Sequence, residues 1–272
     1  MAKKEKNVEG RMTIWEHLGE LRRRLTVIAV TLIIAVCVIY IFAPELILFL
    51  VNPVADVVLE MTGAESLNEA LKVFEAMEPF VLRFKVAAVF SIFLTSPIWI
   101  WQIMAFFLPA LKPNERRWVL PTFFAAVALF MGGMVFCYFF ILNPAFDWLL
   151  SQLIGFSSLV ASASNFVNYI ILFELAFGLA FQLPLIIFYL IVFNVVPYKK
   201  LRKNWRVVYV ALMTFSAMIT PDVSPVPMLI MFVAMTGLYE LSLLVARVVL
   251  NSRIKTLEAR DSATSDEDED DA

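Results

Sequence analysis

The sequence is poor in the residues that carry metal and redox chemistry. Among its 272 residues there is one histidine, His17, and there are two cysteines, Cys37 and Cys137. Each cysteine lies within an apolar run, and neither belongs to a Cys-x-x-Cys pair. Isolated cysteines of this kind are typical of small apolar packing residues, not of a disulfide or a metal pair. A single histidine also argues against a metal site, and we expect no cofactor.

Motifs for catalysis are missing as well. The sequence has no Gly-rich phosphate loop, no Gly-x-Ser-x-Gly elbow and no His-Glu-x-x-His pair, which intramembrane and soluble hydrolases would need. An enzyme is therefore the least favoured class. Nothing in the composition indicates nucleic acid as a partner.

Charge is scarce and hydrophobic residues dominate. Charged residues make up 17% of the chain and hydrophobic residues 61%, with a mean hydropathy of +0.81, whereas soluble domains are about half apolar. The composition predicts an all-α, polytopic membrane protein. The first apolar run, Leu25–Ala43, ends without a small-x-small cleavage site, so we interpret it as a retained span and not as a cleaved signal peptide.

Six apolar runs predict six transmembrane helices, since about 20 apolar residues cross a bilayer core. The fifth run has only 13 uncharged residues, or about 20 Å of helix against a core of about 30 Å, and Glu240 interrupts the sixth. The fifth and sixth helices are therefore expected to be short. The runs are Leu25–Ala43, Val86–Leu108, Trp118–Leu142, Phe166–Val192, Val207–Ile219 and Met228–Ala246.

The loops divide by charge. Lysine and arginine gather before the first run, in the loop at 112–117 and around 199–206, which predicts a cytoplasmic N-terminus and C-terminus. The loop at 44–79 is acidic, with a short helix expected near Leu67–Phe74, and the loop Asn143–Ser164 has no cation. Ser96-Pro97 should kink the second span.

The two ends of the chain differ in character. Residues 13–21 have apolar side chains at helical spacing, which predicts an amphipathic helix lying along the membrane before the first span. The last residues include six consecutive acids, 266–271, and so dense a run of like charge is typical of disorder. We expect one transmembrane domain over residues 1–250 and a disordered acidic tail over 251–272.

Two acids, Glu20 and Glu115, lie among the cytoplasmic cations. One interpretation is that each forms a minor surface ion pair, Glu20 with Arg24 at i, i+4. The other is that the two carboxylates together bind a basic ligand, for which guanidinium is better suited than ammonium. From spacing alone, the surface ion pairs are favoured.

Polar residues also lie within the apolar runs. Glu174, Gln182 and Glu240 are in places where ionisable groups are costly and commonly functional. The alternative is an internal hydrogen bond within the bundle, and Glu240 could instead reach the interface.

Several motifs resemble one family, TatC, the multi-span receptor of the twin-arginine protein translocase. The resemblance covers nearly the whole chain in order. It rests on Glu16–Leu25, Ser96-Pro97, Gln102–Leu111, Glu115-Arg116-Arg117, Phe177–Pro184, Thr220-Pro221-Asp222 and Leu238-Tyr239-Glu240.

The resemblance implies a function and a set of site residues. Folded proteins that bear a twin-arginine signal peptide would be moved across the cell membrane by the proton-motive force, with single-span TatA and TatB subunits as partners. Glu20 and Glu115 would bind the two signal arginines. Arg22, Phe106, Pro109 and Arg117 match positions of the same surface. The helices would form a concave bundle, and the protein would act as several copies within a larger complex.

One departure concerns partner docking. The fourth-span motif of the family usually has glutamate where this chain has Gln182. An amide still offers a hydrogen bond to a polar residue of a partner helix, so we expect Gln182, with Glu174 nearby in sequence, to dock single-span partners. The alternative function is a small-solute secondary transporter that uses these two residues, although the internal repeats typical of that class are missing.

Overall fold

The computed structural model describes residues 14–108, 116, 119–152, 161–192, 196, 198–219 and 225–270. Helices dominate the described residues, and two short strands pair in parallel. In chain order the α-helices are α1 (Ile14–Ile39), α2 (Ala43–Val51), α3 (Ala55–Thr62), α4 (Leu67–Ala70), α5 (Glu78–Leu94), α6 (Ser96–Phe107), α7 (Val119–Phe136), α8 (Leu142–Ser151), α9 (Ala163–Ala180), α10 (Leu183–Val192), α11 (Tyr198–Lys203), α12 (Trp205–Ile219) and α13 (Pro225–Asp270). The strands are β1 (Leu71–Lys72) and β2 (Ala161–Ser162).

Four helical stretches are long and apolar enough to cross a membrane: Trp15–Glu60, Val119–Ser151, Ala163–Ile191 and Pro225–Val248. The bent pair α5 and α6 would make a fifth span. Helix α12 is apolar but shorter. A membrane protein with several spans is therefore confirmed, whereas the count of six and the orientation of the termini stay predictions.

The first span begins and ends differently from the prediction. No separate amphipathic helix turns into the span among the described residues, because α1 runs unbroken from Ile14 to Ile39. The helical stretch then passes through the 3₁₀ turn Tyr40–Phe42 into α2. Pro44 does not end it, since proline is tolerated in the first turn of a helix, where its missing N–H would have no partner anyway.

Helices also occupy part of both segments that were predicted as the loops 44–79 and Asn143–Ser164. In the first, α2 and α3 precede Gly63, whose φ of 65° ends α3 in a left-handed cap. The short helix expected near Leu67–Phe74 is one turn long and gives way to β1. In the second, α8 extends through Ser151, and Pro144 again lies within the first turn.

The chain divides into two compact units. The first comprises the described residues of Met1–Leu46 and Arg83–Val127. Within it α1 packs against α6. The predicted kink is confirmed, because α5 and α6 meet at 60° across a break at Thr95. The indole Nε1 of Trp99 donates to the carbonyl of Ile92 at 2.9 Å, which satisfies an acceptor beside the break.

The second unit comprises the described residues of Ile47–Leu82 and Ala128–Ala272. Helices α10 and α12 both pack against α13, and Ser216 Oγ donates to the carbonyl of Met228 at 2.8 Å. Glu240 accepts from Arg202 Nη1 and from the Tyr209 hydroxyl, each at 2.8 Å. The prediction of a short sixth helix is wrong, because a paired Glu240 does not interrupt α13.

Two glycines let α7 and α9 approach closely. A Cβ on Gly133 would lie 2.7 Å from the carbonyl oxygen of Phe177, and one on Gly178 would lie 2.9 Å from Cε2 of Phe130. A larger side chain at Gly133 would press on the backbone of α9, and one at Gly178 would require the side chains of Phe130 and Met134 to shift. The next turn after α7 is a π-helical segment, Cys137–Ile141, against which α9 also packs.

Glu78 ties two segments of this unit together, around Phe74 and around Ser162. One carboxylate oxygen accepts from the backbone N–H of Phe74 at 2.8 Å, and the other accepts from the Ser162 hydroxyl and from the Ser164 N–H, each at 3.1 Å. Strand β1 pairs with β2 in the register Leu71 to Ala161 and Lys72 to Ser162. This parallel pairing is the exception to the predicted all-α fold.

Helix α13 extends past residue 250, while the disordered acidic tail over 251–272 stays a prediction. Helical backbone continues from the last span through Asp270. Extending an existing helix avoids the cost of nucleation, and good helix formers such as Leu257, Glu258 and Ala259 follow the span. The division into domains at residue 250 stays a prediction.

Candidate functional site

A network of three side chains joins α1 to α6. Glu20 and Arg24 lie one turn apart on α1, with side chains that are 19% and 23% exposed. Arg24 donates from Nε to Oε1 of Glu20 at 3.0 Å and also from Nη2 to the same oxygen, while its Nη1 donates to Oε1 of Gln102 at 3.3 Å. The i, i+4 ion pair considered from the sequence is therefore present, and it is only partly exposed.

The second oxygen of Glu20 has different surroundings. Oε2 is buried and has no hydrogen-bond partner among the described residues. Glu20 also lines a cavity of about 270 Å³, together with Arg23, Arg24, Val27 and Gln102. A buried acceptor without a donor is costly, so a cationic donor that reached this oxygen would be stabilised.

The aromatic part of the site lies one turn earlier on α1. The ring of His17 stacks on that of Phe106, with centroids 4.3 Å apart and planes 18° apart. Phe106, predicted as part of the site, is thus brought to the same helix pair as Glu20. Arg22 is exposed and lines a hollow of about 420 Å³ with apolar residues of α1.

Gln102 and His17 are site residues that the reasoning on single residues did not select. Both lie within motifs that carry the family resemblance, at Gln102–Leu111 and Glu16–Leu25. That position in a motif was the available signal. Their contacts with Arg24 and Phe106 join α1 to α6, which sequence spacing does not reveal.

Three predicted site residues, Glu115, Pro109 and Arg117, lie outside the described residues. Arg116 is described and is exposed. The joining of Glu20 and Glu115 into one carboxylate pair therefore stays a prediction.

The residues predicted to dock partners lie in the second unit. Gln182 is half-buried at the break between α9 and α10. Its backbone carbonyl accepts from the backbone N–H groups of Leu185 and Ile186 at 3.1 Å and 3.0 Å. Glu174 on α9 is only 3% exposed, and its Oε1 has no partner among the described residues. Its carboxyl group points into the chain, whereas Gln182 is accessible.

Metal binding finds no support in the described part of the chain. No group of three or more metal-ligating side chains occurs there. Cys37 and Cys137 are both free thiols, the first exposed and the second buried.

The comparisons with known proteins agree with one another. A family model described as "Sec-independent protein translocase protein (TatC)" matches residues 16–233, which is most of the chain. The chain belongs to the TatC family. It is therefore a membrane protein of a protein translocase and not an enzyme, and this match favours protein translocation over the small-solute transporter.

Individual TatC proteins are similar over most of their length. The TatC protein of Deinococcus radiodurans is 32% identical over 86% of this chain and 86% of its own, and that of Carboxydothermus hydrogenoformans is 28% identical over 88% and 94%. A crystal structure of a twin arginine translocase receptor, TatC, superposes with a TM-score of 0.70 at 26% identity, covering 85% of this chain and 98% of that one.

Proposed function

We propose that this chain is the receptor that binds twin-arginine signal peptides at the cytoplasmic face of a Tat translocase. The observation that carries the proposal is Glu20, which lines a cavity with Gln102 of α6 and has a buried oxygen, Oε2, without a hydrogen-bond partner among the described residues. A guanidinium group offers planar, paired donors to a carboxylate, whereas an ammonium group is a compact point charge. The site therefore favours arginine over lysine.

The family resemblance carries the other residues of this proposal. It assigns Glu115 as the second carboxylate and Arg22, Phe106, Pro109 and Arg117 as further residues for signal-peptide binding. The apolar hollow beside Arg22 suits the hydrophobic part of a signal peptide that follows its arginines.

Transport requires partners that this chain does not supply. We assign docking of single-span TatA and TatB subunits to Gln182 and α12, and an indirect part to the buried Glu174. The 15 residues of α12 span about 22 Å, less than a bilayer core of about 30 Å, so the membrane there would be thinned. Several copies in the cell membrane, driven by the proton-motive force, would move folded proteins.

A binding experiment tests the receptor function. The affinity of a fluorescent twin-arginine signal peptide for the purified chain would be measured in detergent, beside a twin-lysine version of the peptide and the variant Glu115→Ala. We expect the twin-arginine peptide to bind at least about tenfold more tightly, a difference of 1.4 kcal/mol, and Glu115→Ala to reduce that preference.

Two results would contradict the proposal. If both peptides bind with equal affinity, the acids act only as general surface charge. If neither peptide binds, the chain is not the signal receptor.

A further inference from the structure

The contacts of Arg24 are those that a signal arginine would need. Its Nε and Nη2 both donate to Oε1 of Glu20, and its Nη1 donates to Gln102. A bound signal arginine would engage the same carboxylate with the same chemical group. The chain thus holds its own guanidinium in the place where the ligand is proposed to bind.

We propose that Arg24 is a built-in competitor that sets the threshold for signal recognition. The inference rests on the proposed function, because it assumes that Glu20 receives a signal arginine. In the free receptor Arg24 occupies Oε1, and Oε2 is buried. A cation that enters the cavity therefore engages the carboxylate of Glu20 only if Arg24 gives up its place.

This competition would sharpen the choice of arginine over lysine. A guanidinium can form two parallel hydrogen bonds with a carboxylate, so these bonds offset the free energy that is lost when Arg24 is displaced. An ammonium approaches as a point charge and gains less from the second oxygen. In the presence of Arg24 the weaker ligand fails to displace the internal one.

Gln102 has a supporting part in this arrangement. Its amide oxygen, 3.3 Å from Arg24 Nη1, holds the guanidinium from α6 while Glu20 holds it from α1. Because this contact joins two helices, Arg24 cannot swing away from Glu20 without breaking it. Gln102 is therefore a positioning residue for Arg24 and not a ligand of the signal.

The test compares three variants in the same peptide-binding measurement. Arg24→Gln removes the competitor, Arg24→Lys keeps the positive charge but loses the planar fork, and Arg83→Gln removes the charge of an exposed arginine that does not line the cavity. The wild-type chain is measured in parallel with twin-arginine and twin-lysine peptides.

We expect Arg24→Gln to bind the twin-arginine peptide about tenfold more tightly, the scale of a partly buried bond to a charged group. The twin-lysine peptide should gain more than that, so discrimination falls. Arg24→Lys should show the same two changes to a smaller extent. Arg83→Gln should change either affinity by less than about twofold, in line with an exposed charge outside the cavity.

Two results would overturn the competitor while leaving the receptor function intact. One is that Arg24→Gln binds the twin-arginine peptide no better than the wild-type chain does, while the wild-type chain still prefers the twin-arginine peptide to the twin-lysine peptide. The other is an equal gain in affinity for Arg83→Gln and Arg24→Gln with none for Arg24→Lys, which would reduce the effect to net charge. If the wild-type chain itself shows no preference for arginine, the proposed function fails together with the inference.

Discussion

Two buried carboxylates of the chain differ in how their oxygens are satisfied. In Glu20 one oxygen accepts twice from Arg24, and the other is left without a donor among the described residues. In Glu174 the unpartnered oxygen lies within α9, at a residue that is only 3% exposed. Glu20 lines a cavity, so of these two acids we assign ligand binding to Glu20.

Replacement of Glu174 by methionine should make the fold more stable. Methionine is similar in length and flexible enough to fill the same space, and it removes an acceptor whose burial costs about 1–3 kcal/mol. The measurement is the thermal unfolding midpoint of the purified protein in detergent, wild type against Glu174→Met. An increase of the midpoint is the expected result.

Ser242 provides the matched control for this change. It is as buried as Glu174, but its hydroxyl donates to the carbonyl of Tyr239 at 2.6 Å, so Ser242→Ala should not raise the midpoint. A lower midpoint for Glu174→Met would mean that the carboxyl group makes a stabilising interaction, which would contradict its description as a buried acceptor without a partner.

At the scale of the element, the length of the apolar runs predicts that the spans exist. The ends of the spans are predicted wrongly where proline is taken as the start of a loop. Pro44 and Pro144 mark loops in the sequence, yet each lies in the first turn of a helix, where proline costs no hydrogen bond. Pro97 also lies in a first turn, but there the preceding helix ends and the axis bends by 60°. The type of residue is the same in all three cases, and packing decides the outcome.

The close approach of α7 and α9 gives a prediction for Gly133→Ala. The added Cβ would lie 2.7 Å from a backbone oxygen and 2.8 Å from the ring of Phe181, and backbone cannot move aside cheaply. We expect a loss of about 1–3 kcal/mol, the usual cost of overpacking. It would be measured as a lower unfolding midpoint in detergent.

The adjacent glycine is the control, because a Cβ on Gly132 meets nothing within 4 Å. Gly132→Ala should keep or raise stability, since alanine is better than glycine in a helix by about 1 kcal/mol. Equal effects of the two substitutions would show that helix propensity, and not the contact between α7 and α9, determines the result.

At the scale of the molecule, the family follows from motifs spread along the chain, and the match over residues 16–233 confirms it. The site was predictable only in part. Glu20 and Phe106 lie in motifs, and the structure places them on the packed helices α1 and α6. The hydrogen bond between Arg24 and Gln102, however, joins residues 78 positions apart. Local periodicity carries no information on such a contact, and therefore the internal competitor could not be predicted.

The measurement that tests the central claim most directly is a double-mutant cycle between Glu20 and one signal arginine. Peptides with Arg or Gln at that position would be titrated against the wild-type chain and Glu20→Gln. If the carboxylate receives the guanidinium, the two changes should be coupled by about 0.5–3 kcal/mol, as for residues in contact. Losses that add within about 0.3–0.5 kcal/mol, as for independent sites, would contradict the claim.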